Sequence, residues 1–442
     1  VGFNRGDRVI DGVVMDVEAA IALADRLILK TSGKPLNDLQ RIVLRGAWQG
    51  KSFTEIHQEC SDRCGLDHLM RNVGPELWKL LSEATGMKVT KNHLQGVLEN
   101  FKDDVGNVES LDYLDYYVER SPFESECYQE IVKPGSLIRI RAPQEMGKTW
   151  FMEQILTHAR RHNYRTQTFS FELCDSTILT DLNKFSRWFC ASVAHAIRLP
   201  NKLMDYWIDI FGCNYNSTLY FENYLLGEID TPFVLALDKV DIVFEHPEIA
   251  TDFCALLRGW NQRAAQGDHV GAIWKKLRLI IVHSTEVYGN LDINHSPLAG
   301  VGLVVKLPEF NQNQVQTLID KYNANLNESQ IDPLMSLVGG HPYLIQHALK
   351  QIAAEKITLN ELLQSSATES SIYSDHLRRH WGQLQQQKEL AIAFKQVIDS
   401  DQPIQLDPLQ AFKLESMGLV QLQGNSVMPR CELYRQYFSD RL

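Results

Sequence analysis

The sequence predicts an α/β protein: a central parallel sheet wrapped in helices, an all-α region before it, and a helical region ending in a hairpin after it. Three observations carry this. Phe233–Leu237 and Leu279–His283 are short continuous apolar runs of the kind that form strands buried on both faces, Leu137–Ala142 reads as a further strand, and helical patterns separate them. Between Asp16 and Phe101, apolar residues recur at helical spacing, broken by tight turns. From Asn311 onward the pattern is again helical, until a strand–turn–strand close to Leu442.

The elements follow in order. Residues 1–14 read as an extension without structure, ahead of a helical pattern that starts just after Met15. Residues 15–101 read as a helix-turn-helix bundle, with Ile21, Leu23, Leu27 and Ile28, then Leu39, Ile42, Val43 and Trp48, on the inner faces. Asn37 or Asp38 is the expected N-cap, and Gly50 ends that helix. A short helix is expected over Phe53–Cys60. Gly74-Pro75 is expected to stop the next one, leaving Leu77, Trp78, Leu80 and Leu81 as the last apolar face. Residues 102–120 form an acidic, tyrosine-bearing connector. The α/β core spans 121–310, with strands over Leu137–Ala142, Thr166–Phe171, Phe233–Leu237, Leu279–His283 and Gly302–Leu307, and a helix over Lys148–His162. A helical lid is expected at 311–386. A winged helix is expected at 387–442, from helix Leu414–Leu419 and strands Val420–Leu422 and Val427–Pro429 around Gly424-Asn425.

Composition removes several classes of function. A chain of 442 residues with 44% hydrophobic and 22% charged residues is globular and long enough for several domains. A net charge of -11 excludes a protein whose whole surface grips nucleic acid or an anionic membrane. No run of about 18 apolar residues occurs, so no membrane-spanning helix is predicted. Eight cysteines without Cys-x-x-Cys pairs fit a reducing compartment, and the expected location is the cytoplasm. His57, Cys60, Cys64 and His68 lie close together, but not at the spacing of a structural zinc site. Buried thiols and solvated imidazoles are the simpler reading.

The strongest motif is Ala142-Pro143-Gln144-Glu145-Met146-Gly147-Lys148-Thr149, set between a buried strand and an amphipathic helix. That is the context of a phosphate-binding P-loop, whose backbone N–H groups and helix N-terminus face the phosphates of ATP or ADP. Lys148 would reach the β- and γ-phosphates, and the Thr149 hydroxyl would hold Mg²⁺. Ala142 replaces the first glycine of the usual pattern, at little cost if its φ stays negative. Asp238 ends an apolar strand, the second place from which Mg²⁺ would be held.

Lys239 stands where many such ATPases carry a glutamate that orients the attacking water, so nucleotide binding with slow or absent hydrolysis is expected. Substitute carboxylates are Asp241, Glu245 and Glu172, each read more simply as a surface or capping group. Ser284, in Ser284-Thr285-Glu286 after the Leu279 strand, would either sense the γ-phosphate or cap a helix. Pro342, in Gly339-Gly340-His341-Pro342-Tyr343-Leu344, starts a helix, and the stretch is either a loop that presses Pro342 or Tyr343 on the adenine or a plain helix N-terminus with no ligand. Nothing local selects a phosphate-directed arginine among Arg187, Arg258 and Arg278.

These residues resemble a known family. Val118-Glu119-Arg120-Ser121-Pro122, Glu126-Cys127-Tyr128, Ile138–Thr149, Leu235–Asp238, Val282–Tyr288, Leu307-Pro308-Glu309-Phe310, Gly339–Leu344 and Met428–Tyr434 with Tyr437-Phe438 are similar to the AAA-like domain of cyanobacterial signalling proteins. Leu39-Gln40-Arg41, Leu44-Arg45-Gly46 and Val73–Ser82 resemble the N-terminal helix-turn-helix of vWA-MoxR-associated proteins. The resemblance implies a STAND-type ATP switch in bacterial signalling or conflict response, with protein partners and a homo-oligomer among its expected assemblies and no membrane. It places Pro342 near the base, and Lys239 and Ile242 depart from the acidic and basic residues usual there. The alternatives are a pseudo-ATPase scaffold and a DNA-binding regulator. For the latter, Leu36–Asn100 holds eight Lys/Arg and eight Asp/Glu, a neutral balance that releases few counterions from DNA, so a protein-interaction role is favoured.

Overall fold

The computed structural model describes residues 17–32, 36–60, 64–85, 87–100, 116–286, 298 and 300–442. The chain divides between residues 115 and 116 into two compact units. The expected extension at 1–14 and the connector as far as residue 115 lie outside the described residues.

The first unit is helical: α1 (Val17–Ser32), α2 (Asp38–Trp48), α3 (Phe53–Glu59), α4 (Gly74–Thr85) and α5 (Leu94–Asn100). Asn37 is the N-cap of α2. Its side chain accepts the Gln40 N–H at 2.9 Å while Gln40 Oε1 accepts the Asn37 N–H at 3.0 Å, and this reciprocal box satisfies two donors that the helix itself cannot. Val43, Leu44, Ile56, Leu69, Leu77 and Leu81 close the core. Cys60 belongs to that core, its thiol donating to the Ile56 carbonyl at 3.4 Å.

Gly74-Pro75 does not stop a helix, contrary to the sequence expectation. A π turn, Leu69–Val73, runs directly into α4, and the Gly74 N–H bonds the Leu69 carbonyl five residues back. The wider turn gives the Pro75 ring room at the carbonyl it would otherwise strike.

The second unit is built on five parallel strands in the order β2-β3-β4-β1-β5: β1 (Leu137–Ala142), β2 (Arg165–Ser170), β3 (Phe233–Asp238), β4 (Leu277–Ser284) and β5 (Leu303–Lys306). Every residue of β3 and β4 is buried, as continuous apolar runs require. Successive side chains point to opposite faces. Ile138, Ile140, Val234, Ala236, Ile280 and Val282 pack on one side under α6 (Phe123–Ile131) and α7 (Lys148–Arg161). Leu235, Leu237, Leu279 and Ile281 meet Phe185, Phe189, Phe221, Phe253 and Trp260 on the other.

Because all strands run the same way, their C-terminal ends share one edge. Register pairs Ala142 with Ser284 and Ser170 with Asp238. That edge is where an open parallel sheet places a ligand.

The remainder is helical: α8 (Gln312–Tyr322), α9 (Ile331–Val338), α10 (Pro342–Ala353), α11 (Leu359–Ser365), α12 (Ser374–Gln386), α13 (Lys388–Ile398) and α14 (Pro408–Ser416). An antiparallel hairpin, β6 (Val420–Gln423) and β7 (Ser426–Pro429), and α15 (Glu432–Phe438) follow. The helix before the hairpin lies earlier than Leu414–Leu419, because Gly418 at φ +78° turns the chain out of it. Residues from this region pack with Val118 and Phe310 into one core. The Thr285 hydroxyl donates to the Ser416 carbonyl at 2.7 Å, and Lys306 pairs with Glu415 across the same seam. No described helix is long and apolar enough to cross a membrane.

Candidate functional site

The loop between β1 and α7 is held by local backbone chemistry. Ala142 remains in the strand, so the missing glycine costs nothing there. The left-handed positions are Glu145, at φ +59°, and Gly147, at φ +78°. At its φ of +78° Gly147 would strain any side chain, and a Cβ there would lie 2.8 Å from the Arg120 guanidinium and push it off the Met146 carbonyl, to which it donates at 2.8 Å.

Gln144, Glu145, Gly147, Lys148, Thr149 and Trp150 line a cavity of about 340 Å³ with Asp238, Lys239, Asp241, Ser284 and Arg379. The Lys148 ammonium donates to the Ala142 and Pro143 carbonyls at 3.0 and 2.6 Å. Burial pushes its pKa down to about 8, against the attraction of Asp241 and Glu286. The Thr149 hydroxyl donates to Asp238 Oδ2 at 3.1 Å, and the Lys239 N–H donates to Asp238 Oδ1 at 2.9 Å. Burial raises the Asp238 pKa while those two donors oppose it. Thr149 and Asp238 are hard oxygen donors side by side. They fit Mg²⁺, which takes one or two protein oxygens and completes its octahedron with phosphate and water.

Asp241 accepts the Ser284 N–H at 2.9 Å, which fixes the end of β4. The Ser284 hydroxyl is buried, lines the cavity and has no hydrogen-bond partner among the described residues. A buried hydroxyl without a partner is costly unless a ligand supplies one. Lys239 takes φ +58°, and its ammonium lies 3.4 Å from Glu172 Oε1 at the end of the neighbouring strand. Both side chains are largely exposed, so the pair adds little stability.

A second cavity, of about 180 Å³, shares Glu145, Gly147 and Trp150 with the first. Its other walls are Tyr117, Val118, Arg120, Phe310, Pro342, Tyr343 and Gln346, a mostly apolar set. Pro342 is the first residue of α10, as expected from Gly339-Gly340. Gly340 must be glycine, since a Cβ there would come within 2.0 Å of the Phe310 carbonyl. The Phe310 N–H donates to the Gly340 carbonyl at 2.8 Å, which fixes Pro342 and Phe310 on the same wall.

Of the residues singled out, Gln144, Glu145, Gly147, Lys148 and Thr149 line the first cavity with Asp238, Asp241 and Ser284, and Pro342 lines the adjoining one, whereas Ala142, Pro143 and Met146 line neither, Ala142 and Met146 being buried in the core. Glu245 lines neither cavity. None of the three arginines considered from sequence lines the first cavity. Arg187 bonds Asp209 and Asn183, and Arg278 donates to the Lys275 and Lys276 carbonyls near the start of β4. The arginine that does line it is Arg379, which sequence reading passed over, as it passed over Trp150 and Gln346. Tyr117, Val118 and Arg120 had been assigned to the connector. Arg379, Gln346 and the Tyr117–Arg120 stretch contribute through chain brought in from far along the sequence, whereas Trp150 directly follows the loop.

Comparison with known proteins is consistent with this geometry. Residues 107–440 match the family described as the AAA-like domain. The chain belongs to the AAA-like domain family. Residues 15–101 match the vWA-MoxR associated protein N-terminal helix-turn-helix. Comparison with curated proteins gave no match. Among solved structures, this AAA-like chain is similar to a Walker-type ATPase of Pyrococcus abyssi at 11% identity and TM-score 0.50, covering 73% of this chain and 96% of that one. The ORC2 protein of Aeropyrum pernix, solved as ADPNP-ADP complexes, follows at 11% identity and TM-score 0.43, with 74% and 95% covered. A STAND protein of Pyrococcus horikoshii with a tetratricopeptide repeat sensor shows 14% identity and TM-score 0.33, and the match spans 73% of this chain but 42% of that one. The first of these carries the likeness, which is one of fold: a P-loop ATPase core.

Proposed function

We propose that the chain is an ATP-driven conformational switch of the STAND type that binds Mg²⁺·ATP or ADP and hydrolyses it slowly or not at all. The observation that carries the reading is the cavity at the strand edge. There Lys148, the Thr149–Asp238 pair and the buried Ser284 hydroxyl converge, while Lys239 takes the place of the water-orienting carboxylate. Lys148 and the loop N–H groups hold the phosphates, Thr149 and Asp238 hold Mg²⁺, and Ser284 donates to the γ-phosphate. The apolar cavity walled by Val118, Pro342 and Tyr343 takes the base. When bound, Mg²⁺ neutralises phosphate charge.

The second unit divides in this reading into a core at 121–310, a lid at 311–386 and a winged helix at 387–442, formed by α13, α14, the hairpin and α15. Lid and winged helix both border the loop, so a nucleotide with different affinity for closed and open forms would shift that equilibrium. Residues 15–101 recruit the partner, a protein of a multi-component signalling system in the cytoplasm. The neutral charge balance of Leu36–Asn100 makes protein the better partner than DNA.

Calorimetry of the full chain with Mg²⁺·ATP and Mg²⁺·ADP, paired with a single-turnover assay, tests the proposal. Binding with turnover far below one per second is expected. Turnover of several per second would overturn the slow-hydrolysis part, and bound nucleotide that never exchanges would turn the switch into a scaffold.

A further inference from the structure

Glu145 is an unusual occupant of a phosphate-binding loop. It puts a carboxylate into a cavity built for anions, from a left-handed backbone position that a side chain occupies at some cost. Its partners explain what that side chain does. Arg379 Nη1 and Nη2 donate to the two carboxylate oxygens at 2.8 and 2.7 Å, a bidentate fork. His376 Nδ1–H donates to Oε2 at 2.6 Å, and the Tyr434 hydroxyl donates to His376 Nε2 at 2.7 Å. Burial keeps His376 below the usual imidazole range and so neutral, which leaves the cation to Arg379. Burial works against the Glu145 charge, but the His376 and Arg379 hydrogen bonds prevail and hold its carboxyl well below the usual range.

Both partners stand on α12, and the same helix sends a third side chain to the loop. Gln383 donates to Glu286 Oε2 at 3.1 Å, and Glu286 Oε1 accepts the Gln144 N–H at 3.2 Å. The helix therefore reads the loop through two consecutive residues. Arg379 itself lines the phosphate cavity with Lys148 and Ser284. A guanidinium fork matches a carboxylate and a phosphate by the same geometry, so the two are rivals for it.

We propose that Glu145 is an internal competitor for the nucleotide's terminal phosphate: it holds Arg379 until a γ-phosphate takes the arginine over, and the exchange lets the site tell a triphosphate from a diphosphate. This rests on the nucleotide-binding reading above. Exchange removes the Arg379 fork from Glu145, while His376 still donates to Glu145 and Gln383 and Glu286 still bind at Gln144, so α12 is re-aimed rather than released.

The test is calorimetric titration of the full chain with Mg²⁺·ATP and Mg²⁺·ADP, in wild type, Glu145→Gln and Arg379→Gln. Glu145→Gln keeps an acceptor for the helix but removes the rival charge. ATP affinity is expected to rise about tenfold, the scale of one charge-assisted hydrogen bond, with ADP affinity rising much less. Arg379→Gln is expected to lower ATP affinity about tenfold and leave ADP nearly unchanged, so ADP binding reports that the variant is folded. An ATP-to-ADP affinity ratio unchanged in both variants would overturn the exchange and make the pair a simple clamp. Wild type that binds neither nucleotide would instead sink the functional reading, and this inference with it.

Discussion

The two adjoining cavities were made in different ways. The phosphate cavity takes most of its working groups from one loop, Gln144 to Trp150, and from the ends of β3 and β4. The apolar cavity gathers Tyr117, Val118 and Arg120, Phe310, and then Pro342, Tyr343 and Gln346, from three distant stretches. A phosphate needs backbone N–H groups and one cation in fixed places, which a short loop at a helix start supplies. A base needs an apolar slot, which only tertiary packing can enclose. The first cavity is therefore written locally and the second is written by the fold.

The sharpest break between them is Lys148→Ala. Removing the loop cation is expected to weaken binding of ATP, ADP and inorganic tripolyphosphate alike by about a hundredfold, from the loss of charge-assisted contacts to two phosphates. Calorimetry with all three ligands checks this. A variant that binds ATP normally would remove the phosphate cavity from the nucleotide site altogether.

Lys239→Glu tests the chemistry of the same cavity. It restores a carboxylate where the water-orienting group is expected, and turnover should rise about a hundredfold if positioning of the water is what is lacking. The new charge would sit beside Glu172, now 3.4 Å from the Lys239 ammonium, so Lys239→Glu combined with Glu172→Gln is the cleaner variant. No gain in a single-turnover assay with either would locate the block elsewhere.

How much of this was legible follows from the same contrast. β3 and β4 are legible within two residues at each end, because buried parallel strands leave apolar runs, and β1 is legible at its observed ends although Arg139 and Arg141 interrupt its apolar residues. Lys148, Thr149 and Asp238 were found because motif and strand end fix their places. Gly74-Pro75 misled because a π turn absorbed the proline, and nothing local encodes that turn. Arg379 lies more than two hundred residues from the loop it contacts, on a helix whose polar face looks like any solvated one.

A smaller effect comes from pH. Lys148 is held at about 8, below the ordinary lysine value of 10.5. Above about 8 the free protein loses the ammonium, so ATP affinity should fall about tenfold between pH 7 and 9, since the phosphates require the proton bound. Stability moves the other way. Unfolding restores the higher pKa, so below about 8 the buried ammonium is a burden, and that burden is relieved as pH rises from about 8 toward 10.5. Thermal melts and titrations over one pH series check both signs, and parallel curves would remove Lys148 as their cause.

The smallest effect belongs to the apolar cavity. Tyr343 lies half-buried beside Pro342 and stacks on His347 at 5.5 Å and 15°. Truncating Tyr343 to alanine removes one wall while Pro342 and Phe310, tied through Gly340, hold the other. A lost base–aromatic contact of about 1 kcal/mol weakens ATP and ADP equally, roughly fivefold. Tripolyphosphate, which has no base, should bind as before, and Tyr343→Phe should behave as wild type because it keeps the ring. That pattern is the reverse of Lys148→Ala, whose loss falls on every polyphosphate. If Tyr343→Ala weakened tripolyphosphate by the same factor, the tyrosine would be acting on closure of the helical region over the loop. The division of labour between the two cavities would then fail at this residue.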